Sequence, residues 1–169
     1  MRWTICAFLV LPLLAARSSA AEDTTHVRSL DEGINQFIAR GIAQSPTFRD
    51  LVAAIDASDS YVYVQTGDCK GGVRSCFVGL TTVRSARFLR VKVNSRNSDV
   101  GVVSSIGHEL RHALEVIEDP AVRTNKDFYF FYARIGTRSL AGTFETSAAV
   151  GAGSKIRDEV LAYERRHTP

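Results

Sequence analysis

His108, Glu109 and His112 form the pattern in this chain whose residue types and spacing could do chemistry. They stand as H-E-x-x-H in a segment without proline. On an α-helix, residues four apart lie one above the other, so the two imidazoles could bind one metal ion while Glu109 stands beside it as a general base. Imidazole ligands of this spacing predict zinc, which takes three protein ligands and one water in a catalytic site. A third ligand is therefore required.

A helix must position this pattern, and we predict one from Val100 or Gly101 to about Glu118. At about 100° per residue, the aliphatic side chains share one face and the two histidines lie on the opposite side. The aliphatic set is Val103, Ile106, Leu110, Ala113, Leu114 and Ile117. The alternative to a metal site is a solvated polar face that happens to carry two histidines. The small and apolar residues on both sides of the motif favour the metal site.

The segment resembles the active-site helix of the zincin metallopeptidases, many of which begin the motif with Gly-His-Glu-Leu, as here from Gly107 to Leu110. The resemblance covers the motif helix alone. It implies an α+β, zincin-like fold, a zinc cofactor and hydrolysis of a peptide or protein substrate with Glu109 as the base. The chain departs from the family at Arg111, because the two positions before the second histidine are usually uncharged.

The resemblance also bears on the third ligand. The metzincins place a glycine and a third histidine soon after the motif, whereas residues 116–118 are Val-Ile-Glu and the only later histidine is His167. Similarity to the gluzincins, in which a glutamate from a later helix binds the metal, implies Glu145. The alternative for Glu145 is a carboxylate that complements the free amides of a helix N-terminus.

Glu115 is the rival third ligand, since it shares the histidines' face of the helix. It lies too far along the helix to bind the same ion easily, at 1.5 Å of rise per residue. We expect it instead to accept a hydrogen bond from a ligating imidazole or to pair with Arg111.

Peptide hydrolysis would also need a donor for the developing oxyanion. Tyr132 is the preferred candidate, with Tyr129, Tyr163 and His167 as alternatives, and a core aromatic is the competing interpretation of each tyrosine. A strand over residues 88–94 is expected to offer an edge to an extended peptide. The second functional hypothesis is a non-catalytic exported domain that binds zinc structurally or serves as an interaction module, although such a site needs no general base.

The N-terminal residues 1–20 have the features of a secretory signal peptide. Arg2 precedes an apolar run, and small residues come before a cleavage point after Ala20 or Ala21. The apolar run is too short for a comfortable membrane anchor. We expect one exported domain over residues 21–169, without a stable membrane anchor.

Cleavage changes both the charge and the cysteine count. Losing Arg2 and Arg17 from 21 basic residues leaves 19 against 18 acidic residues, and a nearly neutral chain argues against nucleic acid as a partner. Losing Cys6 leaves Cys69 and Cys76 as an even pair. In an exported protein this predicts a disulfide.

The remaining periodicity predicts helices, then strands, then helices, which is typical of an α+β fold. We expect a first helix capped by Ser29 with Glu32, and a second capped by Ser45 with Pro46 in its first turn. Three strands are expected over residues 61–66, 75–84 and 88–94, in a mainly antiparallel sheet. After the motif helix, we expect one helix that stops at Gly136, one from Gly142 or Thr143 through Glu145, and one from Ser154.

Overall fold

The computed structural model describes residues 25–138 and 142–167. Its helices are α1 (Glu32–Gln44), α2 (Pro46–Asp56), α3 (Asp99–Glu118), α4 (Asn125–Ile135) and α5 (Ser147–His167). Its strands are β1 (Val27–Arg28), β2 (Ser60–Thr66), β3 (Ser75–Val83), β4 (Ala86–Val93), β5 (Thr137–Arg138) and β6 (Phe144–Glu145). The order of elements confirms the α+β class. The proposed signal peptide lies outside the described residues, and none of the described helices has the length and apolarity to cross a membrane.

The main sheet has four strands in the order β1-β2-β4-β3. β4 pairs with β2 in parallel and with β3 antiparallel, so the prediction of a three-stranded, mainly antiparallel sheet was wrong, although the three strand positions were nearly right. A two-residue turn at Arg84 and Ser85 folds β4 back between its neighbours. Residues 88–94 are therefore central, and the exposed edge beside the motif helix belongs to β3.

The hydrophobic core lies between this sheet and the helices α1, α2 and α3. Every second residue of β4, including Leu89 and Val91, faces this core, as do Phe48 of α2 and Leu110 of α3. Burial of these apolar side chains is the main force that fixes α3 against the sheet.

The predicted N-cap is confirmed for α2 and wrong for α1. Ser45 caps α2 as predicted, because its Oγ accepts from Phe48 N at 3.0 Å. α1 is capped by Asp31, whose carboxylate accepts from Gly33 N at 2.9 Å. The predicted Ser29 capping box was wrong.

The chain after α4 is organised differently from the prediction. α4 ends at Ile135 with Gly136 as its C-cap, as expected. Glu145 then lies on the short strand β6, which pairs with β5, and a single helix α5 replaces the two predicted helices. Thr146 lies between the strand and the helix and acts as the N-cap of α5, since its Oγ1 accepts from Ala149 N at 3.1 Å.

Candidate metal centre

The motif helix α3 is anchored at both ends. Ser98 caps its start by accepting from Gly101 N at 3.3 Å. At its other end the buried guanidinium of Arg87, on β4, donates to the carbonyls of Val116, Ile117, Asp119 and Val122 at 2.7–3.3 Å. The carbonyls of Val116 and Ile117 belong to the last turn of α3 and carry the negative end of the helix dipole, so a cation there is favourable. The helix starts one residue before the predicted range and ends at the predicted residue.

The polar face of α3 is buried, which rules out the solvated-face interpretation. His112 is 5% exposed, Glu109 3% and Glu115 7%. α5 covers part of this face by crossing α3 where glycines allow close approach. A Cβ at Gly107 would overlap Ile156, and one at Gly153 would lie 3.2 Å from His108 Cβ.

The three predicted ligands meet at this buried face. His108, His112 and Glu145 each direct one ligand atom to a common point, and these atoms lie within 4.8 Å of one another. Glu145 Oε2 is 3.0 Å from His108 Nε2 and 3.7 Å from His112 Nε2. Ligands at about 2.1 Å from a tetrahedral zinc lie roughly 3.4 Å apart, so these two distances fall on either side of the expected spacing.

The surroundings of Glu145 Oε2 indicate whether these residues suit a bound cation. This atom is a buried oxygen that accepts no well-directed hydrogen bond, although two imidazole nitrogens lie close to it. A buried carboxylate oxygen without a partner is costly. A cation between the oxygen and the nitrogens would remove that cost, so these residues fit a divalent metal site.

Glu115 orients His112 and is not one of the converging ligands. His112 Nδ1 donates to Glu115 Oε2 at 3.1 Å, which leaves His112 Nε2 free to bind a metal. Thr146 donates its hydroxyl to the other carboxylate oxygen at 2.7 Å. Both alternatives expected for Glu115 are present, because Arg111 Nε lies 3.7 Å from Oε1.

Arg111, which departs from the zincin pattern, lies beside the site with its charge paired. Its guanidinium also lies 3.6 Å from Glu118. The positive charge is thus held by two acids of the same helix, away from the atoms that converge on the metal position.

The charges of the site favour a bound cation. Burial opposes a positive His112, but its hydrogen bond with Glu115 and the close carboxylate of Glu145 outweigh it and raise the pKa of His112 to about 9. The nearby His108 and His112 lower the pKa of Glu145 to about 2. Without a metal, the site therefore holds a proton on an imidazole, and metal binding must displace that proton.

Glu109 stands at the floor of the cleft beside the ligands. Burial raises the pKa of its carboxyl group, and the neighbouring histidines and a hydrogen bond from Ser75 oppose that rise. Ser75 lies within the loop closed by the predicted disulfide, which is confirmed between Cys69 and Cys76. The disulfide loop therefore lies directly beside Glu109.

Two cavities meet at Ser75 and Glu145 and together form the cleft. The first, which we call the polar groove, has a volume of about 430 Å³ and includes Arg74 and His108 in its walls. The second, the aromatic pocket, measures about 270 Å³ and includes Glu109. Its aromatic walls are Phe77, Phe128, Tyr129, Tyr132 and Phe144.

The structure gives Tyr132 a role other than the predicted oxyanion donor. Its hydroxyl is buried and lies 2.8 Å from His112 O and 3.1 Å from Glu115 Oε2, so its one proton is shared between protein acceptors. Burial and the charge of Glu115 also raise the pKa of Tyr132. Of the alternatives, Tyr129 lines the aromatic pocket, whereas Tyr163 and His167 stack on each other in the last turns of α5.

Sequence reasoning missed Ser75, Arg74 and Thr146. Thr146 could have been found from the sequence. Threonine is a favoured N-cap residue, and its hydroxyl can accept from the amide of the residue three positions later, here Ala149. Ser75 and Arg74 lie in the loop beside Cys76, and their approach to α3 depends on the pairing of β3 with β4.

In comparisons with models of known protein families, with curated proteins and with solved structures, no match to this chain was found. The functional argument therefore depends on the geometry of the cleft. A disulfide of this kind is typical of proteins that fold in an oxidising compartment.

Proposed function

We propose that the protein is an exported, zinc-dependent peptidase of zincin-like architecture. The observation that carries the proposal is the convergence of His108, His112 and Glu145 beside a buried Glu109. Zinc is the metal we assign, because two imidazoles and one carboxylate are the ligands of many catalytic zinc sites. A site that only stabilises a fold has no need of a fourth residue, a carboxylate that binds no metal, in the same cleft.

The residues around the proposed metal position each have a part in this reaction. Bound zinc would supply Lewis acidity, lowering the pKa of water and polarising the substrate carbonyl. Glu109 takes a proton from the attacking water and returns it to the leaving amine. Glu115 orients the His112 ring through its hydrogen bond with Nδ1, and Ser75 lies beside the Glu109 carboxylate to orient it.

The edge of β3 is suited to hold an extended peptide beside Glu109. Ser75, Cys76 and Phe77 of this strand line the aromatic pocket. The later part of the edge is covered, because Leu80 N donates to Asn125 Oδ1 at 2.7 Å and Thr82 donates to Arg123 O at 2.6 Å. The free part is therefore the segment nearest the metal centre, where added backbone hydrogen bonds would align a substrate.

The decisive experiment compares metal content with turnover. Protein purified without added metal is expected to contain about one zinc per chain, and Glu109→Gln should retain that zinc while losing peptide hydrolysis. Glu118→Gln, at the exposed end of the same helix, is the matched control and should leave both unchanged. Absence of zinc from the wild-type protein would refute the site, and zinc retained without wild-type hydrolysis would favour the non-catalytic alternative.

A second comparison tests the assignment of the third ligand. Glu145→Ala should weaken zinc binding more than Glu115→Ala, because only Glu145 places an oxygen among the imidazole nitrogens. Loss of an orienting partner typically lowers metal affinity by about 10–100-fold. A larger loss at Glu115 in competition titrations with a chelator would reverse the two roles.

A further inference from the structure

Arg74 lies at the mouth of the polar groove with its charge unpaired by any acid among residues 25–138 and 142–167. Its side chain is exposed, and no described carboxylate lies within 4.0 Å of it. Glu145, the one acid in the groove's walls, points its buried oxygen at the two histidines. The groove therefore presents a free guanidinium beside a metal centre.

The backbone of Arg74 is held firmly, although its side chain is free. Arg74 O accepts from Asn94 N at 2.8 Å, the next residue pairs with Val93 in the sheet, and the Cys69–Cys76 disulfide closes the loop around it. A cation on a fixed backbone loses less conformational freedom on binding than one on a mobile loop. This is the arrangement expected of a recognition residue.

The groove also supplies neutral hydrogen-bond donors, and its apolar walls are limited to Val73 and Val150 beside its glycines. Ser105 and Ser154 line it with hydroxyl groups that make no side-chain hydrogen bond within the described structure. Aromatic side chains line only the other cavity. The two halves of the cleft thus differ in chemistry, one suited to an anion with polar neighbours and the other to an aromatic or large aliphatic side chain.

We propose that Arg74 binds a carboxylate of the substrate in the polar groove, so that the enzyme prefers peptides with an acidic residue one or two positions from the cleaved bond, on the His108 side. This inference rests on the peptidase function proposed above. Arg74 is one residue from Ser75, and consecutive Cα atoms lie about 3.8 Å apart. A peptide advances about 3.3 Å per residue, so the guanidinium reaches a side chain one or two positions from the cleaved bond.

The test uses binding and turnover separately. Each peptide contains a single phenylalanine, and Asp, Asn or Lys is placed in turn at each position that flanks it. The dissociation constants of these peptides are measured by calorimetry on zinc-loaded Glu109→Gln. Hydrolysis of the same peptides is measured on the enzyme with Glu109 intact. We expect the Asp peptide to bind about tenfold more tightly than its Asn twin, which corresponds to about 1.4 kcal/mol, and the preference to fall with added salt.

Variants at Arg74 decide whether the guanidinium is responsible. Arg74→Gln should abolish the preference, Arg74→Glu should shift it toward the Lys peptide, and neither should change zinc content. Lys70→Gln is the matched control, because Lys70 is a cation of the same disulfide loop that does not line the groove. It should leave the preference unchanged.

The outcomes separate the two proposals. Hydrolysis with equal rates for the Asp and Asn peptides would overturn the Arg74 inference and leave the peptidase function standing. A preference that persists in Arg74→Gln would overturn it as well, since the carboxylate would then be bound by the metal. Preferential binding of the Asp peptide without hydrolysis in the enzyme with Glu109 intact would support the anion site and refute peptidase activity. Failure of all the peptides to bind would overturn both.

Discussion

Arg87 holds the C-terminal end of α3 against the sheet, and replacing it with methionine should destabilise the protein strongly. Its side chain is 5% exposed and donates to four backbone carbonyls in and just after the last turn of the motif helix. Methionine keeps much of the length and volume of the side chain but has no donor. The carbonyls of Val116 and Val122, whose bonds to Arg87 are fully buried, would lose this partner.

The magnitude follows from those two carbonyls. A buried polar group without its partner costs about 1–3 kcal/mol, so the two together cost about 2–6 kcal/mol. The other two carbonyls are only partly buried and can bind water. Removing the guanidinium also relieves the cost of its burial, which lowers the pKa of Arg87, and this places the net loss in the lower half of that range. We therefore expect a net loss of about 3 kcal/mol in the free energy of unfolding, or roughly 6–12 °C in Tm for a domain of this size.

Arg90 provides the matched control, because it lies on the same strand with its side chain on the exposed face of the sheet. Arg90→Met should change the free energy of unfolding by no more than about 0.5 kcal/mol. Both variants are compared with wild type by urea unfolding followed by circular dichroism. If Arg87→Met unfolds within about 0.5 kcal/mol of Arg90→Met, the carbonyls are not held as we describe and the reasoning is refuted.

Three further predictions concern the packing around the site. Burial opposes the charge on Glu159, but hydrogen bonds from the N-terminus of α2 outweigh it and lower its pKa below 4.5. The stabilisation from the charged Glu159 is thus fully present above about pH 4.5 and is lost as the pH falls through the lowered pKa. The free energy of unfolding of Glu159→Gln should therefore fall less steeply with acid than that of wild type. Equal slopes of unfolding free energy against pH would contradict this. Gly107→Ala should cost about 1–3 kcal/mol because the new methyl group overlaps the buried Ile156, and adding Ile156→Val should recover part of that loss; strictly additive free energies in the double-mutant cycle would argue against the contact. Replacing Cys69 and Cys76 by serine should cost about 2–3 kcal/mol for a loop of this length, with Tm measured by calorimetry, and an unchanged Tm would show that the loop is held by its backbone pairing alone.

The motif helix and the second helix were predictable because their signals are local. The 3.6-residue period of Val103, Ile106 and Leu110 and the Ser45-Pro46 start depend only on neighbours in the chain. The same period places His108 and His112 on one face. The disulfide followed from counting cysteines, since only two remain after the N-terminal segment is set aside.

The structure brings Glu145, the predicted third ligand, to the two histidines, but by a different local structure from the one expected. Glu145 was expected on a helix, whereas it lies on β6 and is turned toward the histidines by the strand and by Thr146 after it. The small residues 146–149 favour a helix that includes Glu145. The pairing of Arg138 with Phe144 overrides that preference, and no local pattern reports such a pair.

The sequence by itself determined which side chains could bind a metal and that α3 would carry two of them, because helical spacing follows from covalent geometry. Only the tertiary structure decided what surrounds them. The insertion of β4 beside β2 made β3 the edge strand and brought Arg87 to the end of α3. α5 packed against His108, and Tyr132 of α4 packed against His112. These arrangements depend on contacts between residues far apart in the chain, whose stability comes from packing the whole core at once.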